Sequence, residues 1–159
     1  SARTGRMIDN SVPIKGANGN ILRTLALLPY AKQLGIRLVE GLSASDRVFH
    51  LPFEQRLIGN MALPAFHGGV IASFMEVAAL STTYSLLSED RPPKLVDFSI
   101  DYHSSAGPHD LFATCEMHRI GQRIAALGIR CWQQDPSTPV ALGRAHIFVA
   151  HSASDSLVF

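Results

Sequence analysis

Cysteines are few in this sequence, and neither sign of charge is in excess. The 159 residues include two cysteines, 14 lysines and arginines, and 13 aspartates and glutamates, which give a formal net charge of +1. Cys115 and Cys131 lie sixteen residues apart without CxxC or Cys/His spacing, so neither a disulfide framework nor a zinc site is indicated, and a reducing cytoplasm is favoured. Without a basic excess, we expect neither nucleic acid nor a membrane surface as a partner.

A secretion signal and a membrane span are also missing from the pattern. No basic N-terminal region leads into an apolar run and a cleavage site. The apolar stretch Val70–Leu87 contains Glu76 and several serines and threonines, and it lacks the positive flanks of a spanning helix. We expect one cytoplasmic domain at residues 21–159, preceded by a flexible, Gly- and Asn-dotted arm at residues 1–20.

Hydrophobic periodicity predicts an α+β domain. The first part of the chain predicts a short helix from Ile21, broken at Pro29 and ended by Gly35, and then strands at Ile36–Glu40 and Arg47–Phe53. A turn-forming stretch at Gly59–Pro64 leads to a helix at Val70–Leu87. The last part predicts a half-buried strand with Val96, Phe98, Ile100 and Tyr102 on one face, followed by strands near Asp110–Ile120, Arg123–Gln133 and Val140–His151. The long helix is apolar on every face, which is typical of a buried helix. We expect an antiparallel sheet wrapped on this helix.

Charge is nearly absent between Arg56 and Glu89, and Glu76 is the sole exception. A carboxylate in an apolar interior costs several kcal/mol unless it is paired, and no Lys or Arg lies within four residues of it. The interpretations left open are a structural role, in which Glu76 pairs with a distant arginine such as Arg123 or Arg144 or simply points at water, and a role as a reactive group.

The tripeptide His67-Gly68-Gly69 stands at the start of the long helix. The first amides of a helix have no intrahelical acceptor, the helix dipole is positive there, and glycine leaves room for a ligand. The tripeptide therefore predicts an oxyanion or phosphate site, the alternative being a tight turn that only glycine can make. His67 itself is interpreted as a core histidine that ties down the loop, rather than as a proton donor.

Gly68 and Glu76 cannot both reach one carbonyl within a single chain. Eight residues of helix separate them by about 12 Å, whereas an oxyanion donor and a base or nucleophile must each lie within about 3 Å of the reacting atoms. Two chains with antiparallel central helices around a two-fold axis would bring Gly68 of one chain to Glu76 of the other. The spacing therefore predicts an obligate dimer.

The pattern Gly59-Asn60, then Leu63 to Ile71, then an acidic residue nine after His67, resembles the hotdog-fold acyl-CoA thioesterases of the phenylacetate-degradation (PaaI-like) type. Val96–Tyr102 and Arg119–Arg123 extend the resemblance, which covers about residues 30–150. It implies a long central helix wrapped by a five- or six-stranded antiparallel sheet, homodimers that often pair into tetramers, and hydrolysis of a coenzyme A thioester to acid and thiol. It implies no metal or redox cofactor.

The resemblance also implies roles for individual residues. The Gly68 N–H would polarise the thioester carbonyl with Gly69 permitting its approach, Glu76 would act as nucleophile or as general base on water, and Asn60 would orient water or the carbonyl. His67 and Gly69 would line the substrate site. Basic side chains of such proteins hold the phosphates of coenzyme A, and the candidates here are Arg119, Arg123 and Arg144, with ordinary solvated arginines as the alternative.

The sequence departs from the family where a polar helper is usual. Leu80 lies one helical turn after Glu76, where Ser81 or Thr82 would have to substitute, and Leu95 stands at the position of a helper serine on the next strand. A non-catalytic acyl-CoA-binding module is therefore a second hypothesis. A hydratase ranks below both, because the His-Phe-Pro-Gly motif is absent. Aromatic and sulfur side chains on and before the helix are assigned to the core: Phe66, Phe74, Met75 and Tyr84.

Overall fold

One long helix and one large antiparallel sheet make up most of the described protein. The structure is a computed structural model that describes residues 6–7, 29–40, 47–60, 62, 64–87 and 93–149. The strands are β1 (Arg6–Met7), β2 (Arg37–Glu40), β3 (Val48–Leu51), β4 (Ile58–Asn60), β5 (Ala65–Phe66), β6 (Lys94–Tyr102), β7 (Leu111–Ile120), β8 (Ile124–Trp132) and β9 (Ala141–Phe148). The helices are α1 (Pro29–Leu34) and α2 (Gly68–Ser85), with a 3₁₀ turn at Gln55–Leu57.

The large sheet has the order β1-β2-β3-β7-β8-β9-β6, and every pairing in it is antiparallel. Strands β7, β8 and β9 form the predicted meander. Strand β6 precedes them in the chain but pairs with β9, so β6 is an edge of the sheet. This arrangement confirms the α+β hotdog architecture, with the two-residue β1 added to six longer strands.

Strand β6 departs from the predicted alternation. A bulge between Leu95 and Asp97 shifts its register against β9, and a bulge adds one residue to the strand and reverses which faces the following side chains take. Leu95 consequently packs against the core and Val96 is 56% exposed, whereas Phe98 and Ile100 pack against the core as predicted. The prediction that Val96 lies on the buried face was wrong for this reason. Tyr102 shares the face of Phe98 and Ile100, but at the end of the strand it is 50% exposed.

Helix α2 is buried against one face of the sheet, as its all-round apolar sequence predicts. It contacts β6, β7, β8 and β9. Three large side chains of α2 and one of β5 are buried and confirm the core assignment: Phe74, Met75, Tyr84 and Phe66. One side of α2 remains partly exposed in the single chain, and we call it the open stripe of α2: Gly69, Ala72, Ser73, Glu76 and Leu80.

The segments that lead to α2 agree only in part with prediction. Helix α1 begins at Pro29 and ends before Gly35, whose φ of 78° is the left-handed conformation of a glycine helix end. Residues 21–28 and most of the arm at residues 1–20 lie outside the described residues, so the domain boundary stays a prediction. The stretch Gly59–Pro64 was predicted as turn only, but β4 enters it and pairs with β5, because backbone pairing across the turn satisfies both segments.

No helix in the parts of the chain that the structure describes is long and apolar enough to cross a membrane.

Candidate active site

Two backbone amides at the start of α2 have no hydrogen-bond acceptor among the described residues. The chain is held just before them, since Phe66 N–H donates to the Ala106 carbonyl at 2.9 Å and His67 N–H donates to the Leu57 carbonyl at 3.2 Å. The next donors that bond back to the His67 carbonyl belong to Val70 and Ile71. Between these, the N–H groups of Gly68 and Gly69 find no acceptor within the described ranges, as expected for the first turn of a helix.

The two glycines differ in what surrounds them. A Cβ at Gly69 would meet no atom within 4 Å, and neither Gly68 nor Gly69 has a positive φ. A Cβ at Gly68 would lie 3.2 Å from the Tyr102 hydroxyl. A residue with a side chain would therefore fit at Gly69, so the alternative of a tight turn that only glycine can make does not hold there. The missing side chain leaves open space next to the amide.

His67 is not a core residue. Its side chain is exposed, and its ring lies against Gly59, where a Cβ would come within 2.8 Å of Nδ1. The ring makes no hydrogen bond to the residues that the structure describes. The interpretation as a satisfied core histidine was wrong, because His67 is the residue before α2 and its side chain lies outside the packed layer between helix and sheet. It borders the free amides instead.

Glu76 lies on the open stripe, two turns after Gly69 and on the same helix face. Its carboxylate has neither an ion pair nor a hydrogen bond within the described part of the chain. Burial raises the pKa of Glu76 above its ordinary value of 4.5, with no positive charge to oppose the effect. The structural ion pair with Arg123 or Arg144 is therefore contradicted, since the side chains of both arginines are exposed elsewhere.

The surroundings of Glu76 are apolar on the side where helpers were sought. Leu80 and Leu95 are partly buried and pack against the core. Ser81 is fully buried, and the Thr82 hydroxyl forms a hydrogen bond with the Cys115 thiol. Neither hydroxyl therefore replaces the polar helper that is missing at Leu80. Ser73, one turn before Glu76 on the open stripe, is the hydroxyl that shares its face.

The predicted phosphate-binding arginines fall into two places. Arg119 and Arg123 flank the β7–β8 turn and line one surface hollow of about 650 Å³ together with Gln122 and His146. Arg144 lines a different and larger groove of about 1580 Å³ on the sheet. The structure thus brings Arg119 and Arg123 together and separates Arg144 from them.

Asn60 is placed by its backbone alone. It lies in β4 opposite Ala65 and seven residues before His67, and its side chain is outside the described residues. Its predicted role in orienting water or the carbonyl stays a prediction.

The described residues offer neither a thiolate nucleophile nor a cluster of metal ligands. Burial raises the pKa of both thiols, Cys115 and Cys131, to about 12, so neither is a thiolate nucleophile at neutral pH. Among the described residues, no three His, Cys, Asp or Glu side chains group as a metal site would need. The titratable group on the open stripe is therefore Glu76.

Tyr102 is the residue that sequence reasoning missed. It was predicted as a buried apolar position, yet its hydroxyl donates to the Gly68 carbonyl at 2.7 Å. The two residues are 34 positions apart, so no local pattern signals their contact.

The part of the chain that carries the two glycines and Glu76 is similar to known proteins. A family model of the thioesterase superfamily matches residues 64–140, which include the two glycines and Glu76. The medium/long-chain acyl-CoA thioesterase YigI of Salmonella typhimurium is 27% identical over 124 residues, covering 68% of this chain and 77% of that protein.

Solved structures share the fold. A Chromobacterium violaceum protein is 38% identical, with a TM-score of 0.66, over 80% of this chain and 87% of that chain. The Escherichia coli PaaI protein from the phenylacetic acid degradation operon is 20% identical, with a TM-score of 0.70, over 83% of this chain and 91% of that chain, and the likeness is one of fold.

Proposed function

The chain belongs to the thioesterase superfamily and is a thioester hydrolase, and from this premise we propose that it hydrolyses acyl-CoA at a site shared by two copies of the chain. One observation carries the proposal: α2 begins with two amides and carries on its open stripe a partly buried carboxylate, and none of these three groups has a partner among the described residues. The amides suit a developing oxyanion, and the carboxylate suits a base or nucleophile.

The distance along α2 supports sharing between chains. Gly68 and Glu76 are eight residues apart, or about 12 Å, which no single thioester carbonyl spans. A second α2 running antiparallel across the open stripe would set its Glu76 opposite these amides, and two-fold symmetry would create two equal sites. Strand β6 offers a place to join, because it is a nine-residue edge strand with exposed Val96 and Tyr102.

In this site the thioester oxygen accepts hydrogen bonds from the free amides, and attack occurs at the carbonyl carbon. In the water route, Glu76 takes a proton from water as the C–O bond forms, the C–S bond then breaks, and the departing sulfur receives that proton. In the direct route, a Glu76 oxygen attacks the carbonyl, CoA leaves, and water hydrolyses the resulting anhydride. Both routes need Glu76 ionised, and both give free acid and CoA.

The recognition of coenzyme A is assigned to the turn between β7 and β8. Arg119 and Arg123 supply two guanidinium groups at one hollow, which is the chemistry that phosphate oxygens bind in bidentate fashion. His67 and Gly69 border the amides and would contact the thioester end. The first substrates to test are medium- and long-chain acyl-CoA esters, because the name of the Salmonella relative gives these acyl groups.

The proposal is tested by thiol release from short, long and aromatic acyl-CoA esters. Wild type should turn over at least one ester, and Glu76→Ala should reduce kcat at least roughly 100-fold, because it removes the base or nucleophile. Glu116→Ala, which changes an exposed glutamate of β7, is the matched control and should leave kcat unchanged. Tight acyl-CoA binding without hydrolysis by wild type would instead support the binding-module hypothesis.

A further inference from the structure

Tyr102 ties the edge of the sheet to the start of α2. Its backbone is held as the last residue of β6, opposite Ala141 of β9, and the next residue, His103, donates its N–H to the Val140 carbonyl at 2.8 Å. From this anchored position the Tyr102 hydroxyl donates to the Gly68 carbonyl at 2.7 Å. The phenol therefore reaches the peptide group that joins the two glycines.

That peptide group belongs to the first turn of α2, where its carbonyl also accepts the helical hydrogen bond from the Ala72 N–H. A trans peptide unit is planar, so the Gly68 carbonyl and the Gly69 N–H point in opposite directions within one rigid plane, which we call the plate. Since neither residue has a Cβ, side-chain contacts of the two glycines add nothing to this helical restraint. Because the Gly69 N–H has no acceptor in the described chain, the bond to Tyr102 is the side-chain restraint on this plate.

We propose that Tyr102 is a positioning residue, whose hydroxyl holds and polarises the Gly68–Gly69 peptide so that the Gly69 N–H acts as an oxyanion donor beside the Gly68 N–H. The inference rests on the proposed thioesterase site. A hydrogen bond to a carbonyl polarises its peptide and strengthens the N–H at the other end as a donor. Glycine at position 68 serves this contact, because a Cβ there would stand 3.2 Å from the hydroxyl.

The hydroxyl is a donor throughout the working range of an assay at neutral pH. Burial raises the pKa of Tyr102 above its ordinary value of 10.0, so the phenol stays protonated. The free amide of Gly69 also lies on the same helix face as Glu76, whereas Gly68 is turned partly away from it. The donor that Tyr102 controls is thus the one aligned with the open stripe.

The first measurement is the backbone amide spectrum of the unliganded protein. In Tyr102→Phe, the Gly69 amide proton should move upfield, because the hydrogen bond from the hydroxyl no longer polarises its peptide. Tyr30→Phe, which changes an exposed tyrosine of α1, is the matched control and should leave the Gly69 signal in place. An unmoved Gly69 signal in Tyr102→Phe would overturn the proposal.

The second measurement is the split between kcat and KM for the best acyl-CoA. Loss of one polarising hydrogen bond should lower kcat about 3- to 10-fold in Tyr102→Phe with KM nearly unchanged. A normal kcat with a shifted Gly69 signal would also overturn the positioning role. Should Tyr102→Phe fail to fold, 3-fluorotyrosine at position 102 keeps the hydroxyl as a stronger donor, and it should shift the Gly69 proton downfield without lowering kcat; an upfield shift or a lower kcat would contradict the proposal.

The two proposals fail in different ways. A wild-type protein that hydrolyses no acyl-CoA ester would overturn the proposed function. The Gly69 amide signal needs no turnover, so it still decides whether Tyr102 holds the peptide.

Discussion

Replacing Glu76 by glutamine should stabilise the fold while it removes activity. The wild-type carboxylate is partly buried, has no partner in the described chain, and sits where burial raises its pKa above 4.5. Glutamine removes the charge but keeps a polar group of the same size, so the gain is only the extra cost of burying an ionised carboxylate, which solvent screening keeps small at this partly exposed position. We therefore expect Glu76→Gln to increase the free energy of unfolding at pH 7 by about 0.5–1 kcal/mol.

The pH dependence of this gain follows from the direction of the pKa shift. Since the folded protein holds its Glu76 proton more tightly than the unfolded chain, wild-type stability falls as pH rises from 4.5 through the raised folded pKa. The advantage of Glu76→Gln is thus full above that folded pKa and vanishes below pH 4.5.

Urea unfolding of both proteins at pH 7 and pH 4 measures this difference. Protein concentration must be equal throughout, because subunit association adds to apparent stability. Glu116→Gln on β7 is the matched control and should change stability by less than about 0.5 kcal/mol, as exposed substitutions usually do. A Glu76→Gln protein less stable than wild type at pH 7 would show that the carboxylate has a partner, and would refute this reasoning.

Three further predictions concern the acid limb, the amides and the core edge. The acid limb of kcat/KM should have its midpoint above pH 4.5, because Glu76 must be ionised and burial raises its pKa; a pH–rate profile measures it. Gly68→Pro should lower kcat about 100- to 1000-fold without unfolding α2, since proline fits the first helical position and His67 has the extended ψ of 133° that precedes proline; kinetics and circular dichroism check both. Asp110→Asn should cost about 1 kcal/mol in urea unfolding at pH 7, because Asp110 accepts from Phe53 N–H and His50 Nε2 at 2.8 Å each, a value discounted for its 46% exposure.

The Asp110 prediction has its own pH window. Burial alone would raise the pKa of Asp110, but the hydrogen bonds from Phe53 and His50, with the positive charges of His50 and Arg37, outweigh it and lower the pKa below 3.8. The stabilisation is therefore present above pH 3.8 and is lost as pH falls through the folded pKa, where wild type and Asp110→Asn should converge.

Features with strong local signals were predictable from the sequence. Helix α2 was predictable because its apolar stretch has the length of a helix. The end of α1 was predictable because glycine takes a positive φ at Gly35 without strain. The motif His67-Gly68-Gly69 lies at a helix start, and free amides are a general property of that position.

Features decided by distant contacts were not predictable. The bulge in β6 depends on pairing with β9, almost fifty residues later, and it turned Val96 outward against the predicted alternation. The contact of Tyr102 with Gly68 depends on the same register. His67 was assigned to the core from residue type, whereas exposure is set by where the two-stranded β4–β5 sheet leaves it.

The central claim is that each active site takes its amides from one chain and Glu76 from the other. A heterodimer of Glu76→Ala and Gly68→Pro chains, purified through two different affinity tags, tests it most directly. The account predicts that each homodimer is inactive and that the heterodimer has about half the wild-type kcat per dimer, because one of its two sites holds both intact groups. An inactive heterodimer with acyl-CoA would contradict the account, since both groups would then act within one chain.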